Sequence, residues 1–384
     1  MSKLSKSCDL KGNQKIFLLQ QNQIGSCCRA YKTNIEPGQT LDYFLNKWNQ
    51  ESVQLDQGIE LTDCNQCWHD EHQGAISYRQ QNNSTDNTIE LFLSNLCNHM
   101  CSYCSPKFSS QWQDSIQSLG QFRNISGTAK LNLQVSPDAA ADQTEWIDQL
   151  ENYINSCKDN SVVLKLVGGE PLMQINNLKH LLSFNLTKIK TLSIITNLNP
   201  PQNKFLHWLL QNIPREKLLI IVSLDATPAY NHVPRAGFDC DRFNANLDLL
   251  NKNNIDYYFS SVISVLSIFD LINFLPWVDQ TGHRARFNTI NNPDCLSLAC
   301  VPLEFRTKIL DQLQGFDVPE LVKESLQKHN TVVDLKLFEQ YNYLKQYFDR
   351  NYIDPESVKN NYFVEYWNWL TAHINLKYET STSI

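Results

Sequence analysis

The sequence contains no run of about 18 apolar residues, so it predicts no transmembrane helix and no membrane partner. Its N-terminus, Met1–Cys8, is too polar for a secretory signal, which favours a cytoplasmic protein. A net charge of -7 gives no general attraction to nucleic acid, and no nucleic-acid partner is expected. Low-complexity tracts and internal repeats are also missing. The remaining composition, 42% hydrophobic and 19% charged, is that of an ordinary globular protein.

Cysteine, in contrast, is abundant, with 12 among 384 residues. A reducing compartment disfavours a disulfide framework, so ligation of a metal or cluster is the better interpretation. Cys157 and Cys240 fall in or beside predicted helices and are expected to be ordinary buried thiols. Cys295 and Cys300 have no assigned role. The other eight cysteines form one set before residue 83 and one after it: Cys8, Cys27, Cys28, Cys64 and Cys67, then Cys97, Cys101 and Cys104.

Strands and helices alternate from residue 88 onward, which predicts parallel βα units and an α/β fold. A separate strand is expected earlier, at Ile16–Leu19. The six strands of the repeats are predicted at Ile89–Leu93, Val162–Val167, Thr191–Ile195, Leu218–Leu224, Tyr257–Val265 and Arg284–Phe287. The helices are predicted at Asp142–Cys157, Asn177–Phe184, Asn203–Asn212, Arg242–Asn251 and Ser267–Val278, and then at Glu304–Leu313, Pro319–Lys328, Asp334–Arg350 and Pro355–Leu370.

Three cysteines lie within eight residues in Cys97-Asn-His-Met-Cys101-Ser-Tyr-Cys104, directly after a predicted buried strand. Thiolates so close on one loop can converge on one point. Electron-transfer 4Fe–4S clusters usually have four cysteine ligands, so a three-cysteine site indicates that something else binds the fourth iron. The octet leaves two alternatives open: a structural zinc site with His99 as the fourth ligand, or three unrelated cysteines of the core.

The octet resembles the Cys-x3-Cys-x2-Cys signature of radical S-adenosylmethionine (SAM) enzymes, with the aromatic Tyr103 before the last cysteine. The resemblance implies that Cys97, Cys101 and Cys104 hold a catalytic 4Fe–4S cluster whose open iron is chelated by SAM. It implies cleavage of SAM to a 5′-deoxyadenosyl radical that abstracts hydrogen from a substrate. The electron donor would be a flavodoxin or a ferredoxin. The implied fold is a partial (β/α)6 TIM-like barrel over residues 84–290, with the chemistry at the C-terminal ends of the strands.

A second motif of the same family follows the second barrel strand, in Leu166-Val-Gly-Gly-Glu-Pro-Leu172. Two glycines at a strand end let a ligand approach the backbone closely. The resemblance implies that Gly168, Gly169 and Glu170, followed by Pro171, bind the amino group of the SAM methionine. Later strand ends carry further residues that the resemblance places near the ribose and carboxylate of SAM, with a plain polar strand cap as the alternative for each: Thr196, Asn197, Ser223 and Asp225. Arg235 is expected to pair with a carboxylate of SAM or substrate, and Ser261 and Val262 to line the adenine pocket.

Residues 1–83 resemble the auxiliary-cluster module, called SPASM or twitch, that many radical SAM enzymes carry. The pattern is Cys…Gly-x-Cys-Cys…Cys-x2-Cys, and it precedes the barrel here, whereas the module commonly follows it. We name Cys28 for the adjacent pair, although nothing local separates it from Cys27. A zinc knuckle is the alternative. The implied ligands of an auxiliary 4Fe–4S cluster are Cys8, Cys28, Cys64 and Cys67.

The C-terminal region, residues 291–384, is expected to be helical, and its last helix is dense in aromatic residues. An aromatic stripe at helical spacing usually packs against a neighbouring element. The combined interpretation is a radical SAM enzyme with a peptide or protein substrate, because enzymes with such auxiliary modules often modify ribosomally made peptides. A non-catalytic iron–sulfur or zinc protein that carries electrons or binds a partner is the rival. That rival would keep the cysteines but has no need of Gly168 to Glu170.

Overall fold

A computed structural model describes the chain at residues 8, 16–19, 23–27, 30, 32–81, 86–92, 94–135, 144–174, 185–290, 292–327 and 332–379. The chain divides into two units, which we describe one at a time. The first unit is Met1–Asn95, Pro137–Ile195 and Lys204–Leu219, and the second is Leu96–Ser136, Thr196–Asn203 and Ile220–Ile384. The domain boundaries expected from the sequence, near residues 83 and 290, stay a prediction.

The described residues contain eleven strands and thirteen α-helices, besides several short 3-10 turns. The strands are β1 Ile16–Leu19, β2 Gln23–Gly25, β3 Thr33–Asn34, β4 Asn87–Phe92, β5 Met100–Cys101, β6 Val162–Val167, β7 Ile189–Thr196, β8 Leu218–Ser223, β9 Arg235–Ala236, β10 Asp256–Ile263 and β11 Ala285–Thr289. The helices are α1 Leu41–Asp56, α2 Asn65–His72, α3 Tyr78–Gln81, α4 Ser110–Leu119, α5 Gly127–Asn132, α6 Thr144–Ser156, α7 Lys204–Asn212, α8 Cys240–Lys252, α9 Leu271–Thr281, α10 Leu303–Gln312, α11 Glu320–Gln327, α12 Asp334–Asn351 and α13 Asn361–Ile374. In this part of the chain no helix is long and apolar enough to cross a membrane.

The sheet of the first unit is built around β6, which pairs in parallel with β4 on one side and β7 on the other. Strand β1 pairs in parallel with the far edge of β4, and β2 and β3 follow it in antiparallel order. The N-terminal segment therefore extends the same sheet that carries the first barrel-type strands. Helix α1 packs on α6 in this unit, through Phe44 and Trp146 and through a hydrogen bond from the Leu41 amide to Gln149.

The second unit contains parallel strands β10 and β11, with β8 next to β10, and the helices of the C-terminal region. Helices α12 and α13 pack through aromatic side chains, such as Phe348 against Trp367 at 5.4 Å between ring centroids. Phe363 and Tyr366 of α13 are fully buried, which agrees with the packing interpretation of the aromatic stripe. Helix α13 begins later than expected, because the side chain of Asn360 accepts from the Phe363 amide and caps the helix there.

The predicted fold class is confirmed: an α/β chain with six barrel-type strands and a helical C-terminal region. All six strands predicted for the repeats are present within two residues of their expected ends, and β1 and β6 match their predicted bounds. The predicted helix Asn177–Phe184 lies outside the described residues. Helices α4 and α5 were missed. Trp112 and Ile116 of α4 are four residues apart, a helical spacing that could have indicated it, whereas the six-residue α5 buries only Ala129 and has no such pattern.

A short antiparallel ribbon in the second unit joins the cysteine octet to the segment after β8. In it, β5 pairs with β9, with Met100 opposite Ala236 and Cys101 opposite Arg235. Gly237 follows the ribbon with a φ of +94°, and a Cβ at this position would lie 2.5 Å from the carbonyl oxygen of Asn98. Only glycine fits this position, because both its backbone conformation and its close contact exclude a side chain.

We expect Gly237→Ala to destabilise the second unit more than Gly282→Ala does. Gly282 has a φ of +71°, and a Cβ there would have nothing within 4 Å, so it reports the conformational cost alone, about 1–2 kcal/mol. Gly237→Ala adds the steric overlap with Asn98, which costs roughly 1–3 kcal/mol more. Thermal unfolding of the two variants beside the parent measures the difference. Equal losses of Tm would mean that the segment beside Asn98 yields freely.

Candidate active site

The cysteine octet of the second unit forms a tight loop around β5. Cys97 and Cys101 are buried, and Cys104 is half-buried. The Cys104 amide donates to the Cys101 carbonyl at 2.9 Å, which closes a turn over the last four residues of the motif. The His99 amide lies 3.4 Å from the Cys97 sulfur and donates to it. The sequence therefore folds the three cysteines into one continuous loop.

Side chains from distant parts of the second unit hold the main chain of this loop. Trp112 Nε1 donates to the Cys101 carbonyl at 2.8 Å. The Tyr343 hydroxyl donates to the Ser102 carbonyl at 2.7 Å. Asn132 Nδ2 donates to the Cys104 carbonyl at 2.9 Å. Because Trp112 and Tyr343 are themselves fully buried, the loop is fixed by the core and not by its own turns alone.

Asn98, between the first two cysteines, connects the loop to the end of the third barrel strand. Its Nδ2 donates to the Asn199 carbonyl at 2.7 Å, and its Oδ1 accepts from Asn197 Nδ2 at 2.9 Å. Asn197 and its neighbour Thr196 were predicted as strand-end site residues. Thr196 accepts from the Leu198 amide, so both contribute to a polar turn directly beside the cysteine loop.

Asp225 is completely enclosed and accepts four hydrogen bonds. The donors are Arg235 Nε at 2.8 Å, Arg235 Nη2 at 3.1 Å, the Tyr103 hydroxyl at 2.8 Å and the Val262 amide at 2.8 Å. A carboxylate has about four acceptor positions, so the protein itself fills them. Burial alone lowers the pKa of Arg235, but the Asp225 carboxylate and, after it, Tyr103 and Cys101 together outweigh burial, and the net shift is upward. The carboxylate that pairs with Arg235 is therefore Asp225.

Arg235 also reaches the cysteine loop, since its Nη1 lies 3.7 Å from the Cys101 sulfur. Burial raises the pKa of Cys101, and the guanidinium of Arg235 opposes that rise. Burial, with Cys101 adding to it, raises the pKa of Cys104 to about 12. These thiols are protonated at neutral pH unless a metal binds, so metal loading must release protons.

The zinc alternative for the octet requires His99 as a ligand. Burial, followed by the Arg235 charge, lowers the pKa of His99 to about 3, so its imidazole is neutral. In the described ranges, however, no group of three or more His, Cys, Asp or Glu side chains is arranged to hold one metal ion. A four-iron cluster needs no single metal position, because each thiolate of a cluster binds a different iron.

Two buried polar atoms of the loop lack a hydrogen-bond partner, His99 Nδ1 and Ser102 Oγ. Buried polar groups are nearly always paired, so such orphans indicate a missing partner. Ser102 lies between Cys101 and Cys104, and its hydroxyl is a donor that the sulfur atoms of an iron–sulfur cluster accept. The residues of the loop therefore fit the group that the resemblance implies.

The Gly-Gly-Glu-Pro motif lies in the first unit, at the end of β6. Gly168 has a φ of +82°, and a Cβ there would lie 1.6 Å from the Phe92 ring, so no other residue fits. Glu170 is fully buried, and it accepts from the Leu172 amide at 2.9 Å at the start of a short turn that begins with Pro171. The motif is thus a constrained strand end with a buried carboxylate.

The remaining predicted residues of the second unit lie at strand ends. Ser261 is fully buried and donates to the Leu224 carbonyl at 2.6 Å, so its hydroxyl joins two neighbouring segments. Val262 is bound through its amide to Asp225. Ser223 is half-buried at the last position of β8.

The N-terminal cysteines gather in the first unit around Trp68. Cys8 and Cys27 are buried in one cluster with Trp68 and Leu55, and Cys64 packs against it. Cys67, next to Trp68, is also buried. Cys28, which the sequence analysis named, lies outside the described residues. The cluster therefore includes three of the five cysteines of this set, with a fourth beside it in sequence.

A buried ion pair lies against the same tryptophan. Arg79 and Glu71 are joined by two hydrogen bonds, one of them 2.6 Å long, and the guanidinium lies 3.6 Å from the Trp68 ring centroid. Burial alone raises the pKa of Glu71, but hydrogen bonds from Arg79 and Ser77 outweigh it and lower the pKa. Arg79 Nη1 and Trp68 Nε1 are buried N–H groups without a partner. Donors of this kind beside cysteines fit an iron–sulfur cluster, whose sulfurs accept hydrogen bonds.

Several of these residues were missed by the sequence analysis. Two of them could have been found from their positions in the sequence. Trp68 directly follows the Cys-x2-Cys pair, and Gly237 lies two residues after Arg235. Tyr343 and Trp112 had no such sequence signal, because a buried aromatic residue in a helix gives the same sequence pattern whether or not its side chain contacts a distant loop.

Comparisons with known proteins identify relatives of this chain. No family model matches the chain. The radical SAM cyclopropyl synthase TigE of Paramaledivibacter caminithermalis is 26% identical over 210 residues, which are 53% of this chain and 40% of that protein. The chain thus spans less than half the length of this curated relative. Solved structures with a partial likeness include anSMEcpe with bound AdoMet (16% identity, TM-score 0.42, 60% of this chain and 59% of that one) and Streptococcus suis SuiB bound to precursor peptide SuiA (13%, 0.36, 74% and 54%).

The relative found by sequence is a radical SAM enzyme. The chain carries both motifs of that family, the cysteine octet in a constrained loop and Gly-Gly-Glu-Pro at a constrained strand end. The auxiliary module has only its cysteine pattern and the buried cluster around Trp68 in its favour. The chain is a relative of the radical SAM enzymes, as its cysteine octet predicts.

Proposed function

We propose that this chain is a radical SAM enzyme that acts on a peptide or protein in the cytoplasm. When bound, the 4Fe–4S cluster and SAM supply a 5′-deoxyadenosyl radical that abstracts hydrogen from the substrate. The observation that carries the proposal is the cysteine loop, whose main chain is fixed by buried side chains of the core. Such preorganisation is what a cofactor site needs and a surface loop does not.

The chain's own residues have separate roles in this proposal. Cys97, Cys101 and Cys104 ligate the catalytic cluster. Arg235 donates toward the Cys101 sulfur and favours its thiolate, and Asp225 positions Arg235. The Tyr103 hydroxyl donates to Asp225 and so helps to hold this carboxylate in place. We infer that Asp225 and Arg235 support the cluster ligands. Arg235 lies 3.7 Å from the Cys101 sulfur, and its hydrogen bond to Asp225 holds it there.

We propose that the Gly-Gly-Glu-Pro motif binds the amino group of SAM. Gly168 and Gly169 both have a positive φ at the end of β6 and are only half-buried, and Glu170 supplies the negative charge. The family resemblance supports a role near the ribose, carboxylate or adenine of SAM for the other strand-end residues, namely Thr196, Asn197, Ser223, Ser261 and Val262.

We propose that the N-terminal cysteines hold an auxiliary 4Fe–4S cluster through Cys8, Cys27, Cys64 and Cys67. Cys27 is preferred here over its neighbour because it is buried with Cys8 and Trp68. Such a cluster would take an electron from a substrate radical or position the substrate. The substrate class follows from the resemblance, since enzymes with this module often modify ribosomally made peptides. A flavodoxin or ferredoxin would reduce the catalytic cluster.

Glu170→Gln tests the SAM site. The substitution keeps an acceptor for the Leu172 amide, so the fold and the iron content should be unchanged. It removes a charge-assisted hydrogen bond worth about 1.5–3 kcal/mol, so anaerobic calorimetry should show SAM affinity reduced by roughly 10-fold or more. Glu324→Gln, at an exposed position of α11, is the matched control and should bind SAM like the parent. An unaltered Kd in Glu170→Gln would remove this residue from the site.

A cysteine comparison tests the auxiliary cluster. With two clusters, iron should reach about eight per chain after anaerobic reconstitution, and Cys27→Ser should lower it to about four. Cys28→Ser and the control Cys240→Ser should keep the full amount, since Cys240 lies in the second unit at the start of α8. Zinc in place of iron, or loss of iron in Cys28→Ser but not in Cys27→Ser, would contradict the assignment.

A further inference from the structure

A cavity of about 670 Å³ lies in the second unit, apart from the cysteine sulfurs. Its walls come from the segment after β8, the start of α9 and the segment after α12. A volume of this size accommodates a small ligand or one amino-acid side chain with room to spare. The polar and charged residues that line it include Thr227, Tyr230, Asp270, Asn273, Asp354 and Lys359.

Asp270 is the buried charge of this cavity, with 3% of its surface exposed. It accepts from the Thr227 amide at 2.8 Å, from the Thr227 hydroxyl at 2.7 Å and from Asn273 at 2.9 Å. These three bonds leave one of about four acceptor positions open. No Lys, Arg or His in the described part of the chain forms an ion pair with it. A carboxylate buried without a cation is costly, which is why burial raises its pKa.

Tyr230 provides an independent sign of a missing partner. Only 4% of its surface is exposed, it lines the same cavity, and its hydroxyl has no hydrogen-bond partner. Burial, and then the nearby Asp270 charge, raise the pKa of Tyr230 well above its ordinary value, so the hydroxyl stays protonated. The cavity therefore contains one unfilled acceptor position and one unpartnered hydroxyl close to each other.

The charge of these groups selects the ligand. An anion would be repelled by the Asp270 carboxylate, and a neutral molecule would leave that charge uncompensated. Two basic residues line the cavity, His232 and Lys359; both are exposed, and neither forms an ion pair with Asp270. A primary amine has three donors and a guanidinium has five, enough to reach both Asp270 and the oxygen of Tyr230.

We propose that this cavity binds the ammonium or guanidinium group of a ligand, with Asp270 as its counter-charge and the Tyr230 hydroxyl as a second contact. Small free amines and the Lys or Arg side chain of a peptide share this chemistry. The inference rests on the cavity alone, so its failure would leave the proposed radical SAM function untouched.

Binding of defined probes to the full chain tests the proposal by calorimetry or ligand-observed NMR. The probes are pentylamine, agmatine and, as an anion of similar length, hexanoate. We expect the two cations to bind and hexanoate not to bind. Asp270→Asn should weaken the binding of both cations by ten-fold or more. Asp349 is an exposed carboxylate on α12, and Asp349→Asn should not change their binding. Binding of hexanoate as tight as that of pentylamine, or undiminished binding in Asp270→Asn, would overturn the proposal.

Tyr230→Phe covers the case in which Asp270→Asn fails to fold. Removal of an unpartnered buried hydroxyl should leave Tm unchanged or raise it, yet weaken pentylamine several-fold. A variant that binds as the parent does would refute the second contact, and absence of cation binding to the parent would refute the site. Nα-acetyl-lysine amide, which keeps the side-chain ammonium, then separates the two sources. Tighter binding than that of pentylamine supports a peptide side chain, and equal binding supports a free amine.

Discussion

The buried ion pair between Asp225 and Arg235 is the interaction on which the candidate active site depends. It connects the end of β8 to the β5–β9 ribbon, and through Tyr103 and the Cys101 sulfur it reaches the cysteine loop. A buried pair adds little net stability, but loss of one partner leaves an uncompensated charge that costs about 3–5 kcal/mol. The pair therefore specifies geometry: it holds the Arg235 guanidinium beside the Cys101 sulfur, where solvent screens its charge little.

The two cysteine sets have a common arrangement, although they lie in different units. In the second unit a buried Arg–Asp pair contacts Cys101, and in the first a buried Arg79–Glu71 pair lies on Trp68 beside Cys8 and Cys27. Both sets also have buried N–H or O–H groups without a partner. Positive charge and hydrogen-bond donors near sulfur set the reduction potential of an iron–sulfur cluster. The proposal of two clusters rests on this common chemistry.

The sequence predicted what depends on local pattern. Apolar runs and residue spacings are short-range features, so they predicted the buried strands β1 and β6 and the cysteine octet. The contacts that position the octet were not, because Tyr343 reaches it across 241 residues of sequence. Asp225 illustrates the same limit: the sequence identified a polar strand end, but only the fold shows that four donors of the protein fill its carboxylate.

The central claim is a cluster with one iron open to SAM, held by Cys97, Cys101 and Cys104. The most direct measurement is the EPR spectrum of the reconstituted, dithionite-reduced protein before and after SAM is added. The account predicts that one cluster signal changes on addition of SAM, and that replacing the three cysteines by Ala abolishes this signal and 5′-deoxyadenosine formation. A spectrum that SAM leaves unchanged in the parent protein, with no SAM cleavage, would contradict the account.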